Sequence, residues 1–162
     1  MDGGRREAPG RVALDVKARA LAPGDAVRGR VTLHLSAPTS ALQLVVGLEA
    51  RRRSVQGGAG TTPLRYRQDV IWRTERALDG ERAFLDGQSW PFELLVPDDA
   101  LSPGFGPRTS SRFPLVWRVV ARLERPWTFS LKAEVPVQVS ARAPARKPGR
   151  ARRRRGASDG SR

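Results

Sequence analysis

The chain has 162 residues, a length that suits one domain, and sets 30 Lys or Arg against 16 Asp or Glu for a net charge of +14. It has no cysteine and one histidine, His34, which excludes disulfides and thiolate metal sites and points to a reducing, cytoplasmic setting. No apolar run approaches the roughly 18 residues of a membrane span, and the opening MDGGRREAPG has no signal-peptide core.

Residues 1–10 read as a flexible N-terminus. Period-two alternation, the mark of half-buried strands, starts after them. Val12, Leu14, Val16 and Ala18 face one way, and Ala13, Asp15, Lys17 and Arg19 the other. A turn at Ala22-Pro23-Gly24-Asp25 leads to a second row, Val27, Val31, Leu33 and Leu35, which alternates with Arg28, Arg30, Thr32 and His34. Leu42, Leu44, Val46 and Leu48 form a third row. Ser54 to Pro63 reads as a loop. Tyr66 to Thr74 predicts a noisier strand with Val70 and Trp72 inward. Phe92, Leu94 and Val96 form a fifth row, followed by a long loop from Leu101 to Arg112 that is rich in Pro, Gly and Ser.

The clearest rows come last. Phe113, Leu115, Trp117, Val119, Ala121 and Leu123 face one way. After a turn at Arg125-Pro126, Phe129, Leu131, Ala133, Val135, Val137 and Val139 do the same. Trp117 and Trp127 read as packing anchors. Pro136 would interrupt a central ladder, so its strand is expected at an edge or with a bulge. No segment has an apolar 3.6-residue period. Short strands separated by Pro, Gly and Asp turns predict an all-β fold, an immunoglobulin-like antiparallel β-sandwich over residues 11–140.

Residues 141–162 differ in kind. They carry nine Lys or Arg against one acid, Asp159, a net +8, with no aromatic residue and no aliphatic one larger than alanine. Such a segment cannot bury enough apolar surface to offset the entropy of ordering and is expected to be a disordered tail.

An ordered set of motifs resembles the amino-terminal domain of arrestin-fold proteins. In that family a Gly precedes a strand ending in Phe-x-Phe-x-x-Pro or a variant of it. A Leu-Pro-x-Ser-Phe loop follows, then a strand ending in Leu-x-Arg-Pro-Trp, and a return strand finishing in Val-x-Val. Gly87, Phe92, Pro97, Leu101, Phe105, Leu123, Arg125, Pro126, Trp127, Val137 and Val139 fit that order. Pro23-Gly24-Asp25, Val27 and Gly29-Arg30-Val31 resemble the family's first turn and second strand. The resemblance runs from Val12 to Val139 and implies one arrestin-like sandwich with an adaptor or scaffold role. Three features depart from the family. The chain has room for one sandwich where full arrestins have two, it lacks the Pro-Pro-x-Tyr motif of α-arrestins, and Gly104 replaces the Ser before Phe105. A shared sandwich does not by itself fix function.

Catalytic constellations are not evident. His34 lies on the polar side of its strand without a recognisable nucleophile. Asp98-Asp99 reads as a solvated strand end rather than a glycosidase pair. The Gly57–Gly60 run lacks the Lys-Ser/Thr of a phosphate loop. No cofactor, metal site or small-molecule substrate is implied, and the chain reads as a non-catalytic binding protein. Arg51, Arg52 and Arg53 are the candidate partner site: adjacent guanidiniums can grip a phosphorylated or carboxylate-rich protein, although a solvated strand end is the simpler account. The expected partner is a protein, bound through strand edges or end loops, and such edges also allow homodimerisation. The alternative is a polyanion-binding protein. In that reading Arg146, Lys147, Arg150, Arg152, Arg153, Arg154 and Arg155 attract nucleic acid or anionic membrane without sequence preference.

Overall fold

The computed structural model describes residues 10–56, 60, 65–101 and 115–141. The 141–162 tail beyond Ala141, the N-terminal segment before Gly10, Phe105 and Phe113 lie outside the described residues.

The described residues form ten strands: β1 (Arg11–Val16), β2 (Ala20–Leu21), β3 (Ala26–His34), β4 (Thr39–Ala41), β5 (Gln43–Gln56), β6 (Arg65–Asp79), β7 (Arg82–Phe84), β8 (Ser89–Leu95), β9 (Leu115–Glu124) and β10 (Leu131–Val139). They form a three-stranded sheet, β1-β3-β8, a five-stranded sheet, β2-β10-β9-β5-β6, and a short β4-β7 ribbon. All pairings are antiparallel except β2 with β10. The fold is therefore the all-β sandwich that the alternation predicts.

The parallel pair arises because the chain changes sheets between β1 and β2. The Lys17 amide still donates to Arg28 O of β3 at 2.9 Å, yet two residues later Arg19 O accepts from the Gln138 amide of β10 at 2.7 Å. The inward role expected for Ala18 fails at this crossing, where Ala18 is exposed. The turn into β3 is fixed by Gly24, whose φ of 81° suits a residue without Cβ. Asp25 closes it by accepting from the Ala22 amide at 2.9 Å.

The inward rows of both sheets make one core. Val27, Val31, Leu33, Leu44, Val46, Leu48, Val119, Ala121 and Leu123 are fully buried. Trp117 is an anchor as expected, 4% exposed and 5.6 Å from the Trp72 ring. Phe84, the largest fully buried side chain, comes from the ribbon and packs 5.8 Å from Trp90. Among the described residues, Pro136 sits where β10 has one neighbour only. β9 pairs with Leu131–Val137, and β2 joins only at Gln138 and Val139.

Four further expectations are corrected. Leu42 precedes β5 instead of opening its inward row, and it is exposed. Val70 is exposed because the β5–β6 register shifts between Ala50 and Arg51. That bulge places Ile71 out of register, so Val70 shares the face of Arg51 while Trp72 stays with Ala50 on the core side. Trp127 is not an anchor. It is 104% exposed in the β9–β10 turn, and Phe129 is 91% exposed because β10 begins only at Leu131.

Candidate functional site

The outer face of the five-stranded sheet carries an ion-pair lattice that no short stretch of sequence reveals. Arg51 on β5 donates to Glu134 on β10 through both terminal nitrogens, Nη2–Oε1 2.9 Å and Nη1–Oε2 3.1 Å. The same guanidinium reaches Glu49 at 2.6 Å. Glu49 also pairs with Arg73 of β6 at 2.9 Å, and Arg73 lies 3.6 Å from Glu75. Glu75 accepts from Arg122 of β9, which also meets Glu124 at 3.4 Å. Glu124 in turn accepts from Gln43 at 2.7 Å. Arg118 and Lys132 complete the surroundings of Glu134.

Burial gives this lattice its stringency. Glu49 is 2% exposed and is the only buried charged residue among those described. An unpaired carboxylate there would be costly, and the two guanidiniums offset that cost. The hydrogen bonds from Arg51, helped by Lys132, outweigh burial and bring the Glu134 carboxyl down to about 2. Reciprocally, Glu134 and Glu49 hold the Arg51 guanidinium above its ordinary range. Val45 and Val120, on the same outer face, are buried beneath this layer, as expected where long Arg stems cover apolar surface. Gly47 makes room for it: a Cβ there would lie 2.6 Å from Thr74 O and 3.0 Å from Glu75 Cγ.

The three arginines singled out by sequence are separated by the strand they share. Alternation sends Arg51 and Arg53 to one face and Arg52 to the other. Arg51 belongs to the lattice, Arg53 lies over the Tyr66 ring at 3.9 Å from its centroid, and Arg52 pairs in register with Leu115 and Asp69. They do not converge on a common point. Sequence reasoning missed Glu49 and Glu134 as the partners of Arg51. Glu134 is 83 residues away, and only knowledge of the strand pairing could have found it.

Beyond Arg52, β5 pairs with β6 alone among the described residues. Arg53–Gln56 and Arg65–Gln68 thus form a two-stranded arm of described residues. The arm and its base carry Arg52, Arg53, Arg65 and Arg67 against Asp69, which accepts from Ser54 at 2.9 Å and pairs with Arg67 at 2.7 Å. β6 is the last strand of its sheet, so its outer edge has no neighbour among the described residues. Tyr66, Val70 and Ile71 are exposed along it.

Other candidate groups show no such assembly. His34 ends β3 opposite Arg11 and is exposed, and Asp98 and Asp99 are both exposed in the turn after β8. An apolar groove of about 550 Å³ lies between Leu101, Leu115, Trp117 and Val137, with no titratable side chain in its lining among the described residues. Arg146, Lys147, Arg150, Arg152, Arg153, Arg154 and Arg155 lie outside the described residues, as does the Gly57–Gly60 run except for Gly60. No described helix is long and apolar enough to cross a membrane.

No protein-family model matches the chain, and no curated protein matches it in sequence. Among solved structures, a β-glucosidase from Listeria innocua aligns over 81% of this chain and 17% of its own, at 15% identity and a TM-score of 0.30, too low to indicate a shared topology. Spo0M, the sporulation control protein from Bacillus subtilis, is similar over 83% of this chain at 17% identity and a TM-score of 0.59. This chain spans about half of that protein, 51% of its length. The likeness is one of fold, and it supports an arrestin-like sandwich.

Proposed function

We propose that this protein is a non-catalytic adaptor of arrestin-like fold whose partner is an acidic, extended protein segment paired along the outer edge of β6. The observation that carries this reading is that edge. It is fifteen residues long, has no neighbouring strand among the described residues, exposes Tyr66, Val70 and Ile71, and continues onto an arm rich in arginine. A free edge supplies unpaired backbone donors and acceptors, and alternate side chains supply selectivity. Arg65 and Arg67 give the charge complement, the pair of Arg67 with Asp69 being open to solvent, while the carboxylates of the lattice arginines are partly or wholly buried. The likeness in fold to a sporulation control protein supports a regulatory rather than a metabolic role. The arginines of residues 141–162 favour a second reading, in which the tail binds polyanions.

Affinity capture from the native cell tests both. The expected result is a protein captured by the full chain and lost from an Arg65→Glu/Arg67→Glu/Ile71→Lys variant that melts normally. Equal capture by both refutes the edge. Capture of nucleic acid alone, abolished by deleting residues 142–162, replaces the adaptor reading with the second one.

A further inference from the structure

Trp127 and Phe129 sit at the tip of the β9–β10 turn, 104% and 91% exposed, whereas the other large aromatics among the described residues are wholly or partly buried apart from Tyr66. They are not on a loose loop. The Arg125 guanidinium donates from Nε to Phe129 O at 3.0 Å, with Nη2 on the same oxygen, closing residues 125–129 into a ring. Pro126 sets φ before Trp127, which itself has a φ of 58°. A proline followed by positive φ is the pattern of a type II turn, where glycine is the residue without steric cost. Here a tryptophan occupies that place and buries none of its surface in return. Leu42, also exposed, is held at the foot of the turn, its amide donating to Glu124 O at 2.7 Å.

We infer that this turn is a membrane-interface anchor that inserts Trp127 and Phe129 into the headgroup region of an anionic bilayer. Size argues against a protein pocket or a second copy as the occupant. Two aromatic side chains bury at most about 500 Å², short of the roughly 800 Å² per partner of a stable protein interface. A bilayer has no such requirement, because the amphipathic indole suits the headgroup depth and the phenyl ring the region below it. Charge points to an anionic surface. The chain carries +14, and the acids nearest the turn are already paired, Glu124 with Arg122 and Gln43, and Asp79 with Arg82. A short apolar insertion combined with long-range cationic attraction is the two-signal arrangement that gives stable yet reversible membrane binding.

Flotation of the full chain with phosphatidylcholine vesicles, with and without phosphatidylserine, tests the anchor. The wild type is expected to float with the phosphatidylserine vesicles only. Trp127→Ser/Phe129→Ser should bind at least about tenfold more weakly while keeping the wild-type thermal midpoint, and Phe129→Leu should retain most of the binding. Equal flotation of the double variant overturns the inference, since charge alone would then suffice. So does a wild type that stays with neither vesicle. A mass by light scattering that falls from dimer to monomer in the double variant, with no lipid present, would assign the turn to a second copy and overturn it as well.

Discussion

Glu134→Gln removes the negative charge and one of the two acceptor oxygens of the bidentate Arg51 pair while keeping the side chain's shape. The sign of the effect follows from the direction of the shift. The folded-state carboxyl sits at about 2, below the ordinary 4.5, so its contribution is fully present above about pH 4.5 and is lost as pH falls toward 2. At about 1.4 kcal/mol per pH unit, the ceiling is roughly 3 kcal/mol. The Glu134 side chain is 23% exposed, so screening by water and salt leaves about 1–2 kcal/mol. Urea unfolding at pH 7 should show that loss in the variant. A pH series should show the wild type losing the same amount between about pH 4.5 and 2 while the variant's curve is flatter there. Parallel wild-type and variant curves across that window, with equal stability at pH 7, would refute the assignment of Glu134 as the acid-sensitive member of the lattice.

Glu49→Gln leaves Arg51 and Arg73 without their shared, buried carboxylate and should cost about 3–5 kcal/mol, read as a fall in the urea midpoint; a loss below 1 kcal/mol would mean water already satisfies that site. Trp117→Ala and Trp127→Ala should separate widely in a thermal melt. The first opens a cavity in the core at about 3–5 kcal/mol. The second removes a side chain without contacts to lose and should stay within about 0.5 kcal/mol of wild type. Gly47→Ala should cost about 1–3 kcal/mol, because its Cβ presses on Thr74 O and displaces Glu75. A mixed variant with Glu75→Ala should recover part of that loss, measurable as coupling in a double-mutant cycle.

The rows Val27-Val31-Leu33, Leu44-Val46-Leu48 and Trp117-Val119-Ala121-Leu123 were legible because each strand is long and buries one face, so period two survives along it. Phe84 was not legible. It lies in a three-residue strand, and three residues cannot establish a period. Val70 failed for a different reason: a bulge inserts one residue and inverts the alternation beyond it. Trp127 shows the limit of composition. A tryptophan after Arg-Pro reads as an anchor by its size, but its burial depends on where the turn projects, which is set by the full length of β9 and β10. The arginine triplet was visible as charge, yet its meaning was fixed by Glu134, which only the β5–β9–β10 pairing brings near.

The lattice also decides where binding can occur on this fold. On the outer face of the five-stranded sheet the guanidiniums of Arg51, Arg73, Arg118 and Arg122 are already matched by Glu49, Glu75, Glu124 and Glu134. An anionic partner would have to displace a carboxylate that is partly or wholly buried, so the face serves cohesion and register. The surfaces proposed for binding lie outside this lattice, at the two ends of β5. Its start is tied to Glu124 beside the aromatic turn, and its far end builds the arginine arm. Fourteen residues of strand separate these ends, roughly 45 Å at about 3.3 Å per residue. A sheet stiffened by the lattice would hold a segment bound along β6 pointing away from a bilayer engaged by Trp127 and Phe129, so both contacts could be made at once. If both proposals hold, lipid and protein binding should therefore be additive, and vesicles should not compete for a partner captured through Arg65 and Arg67.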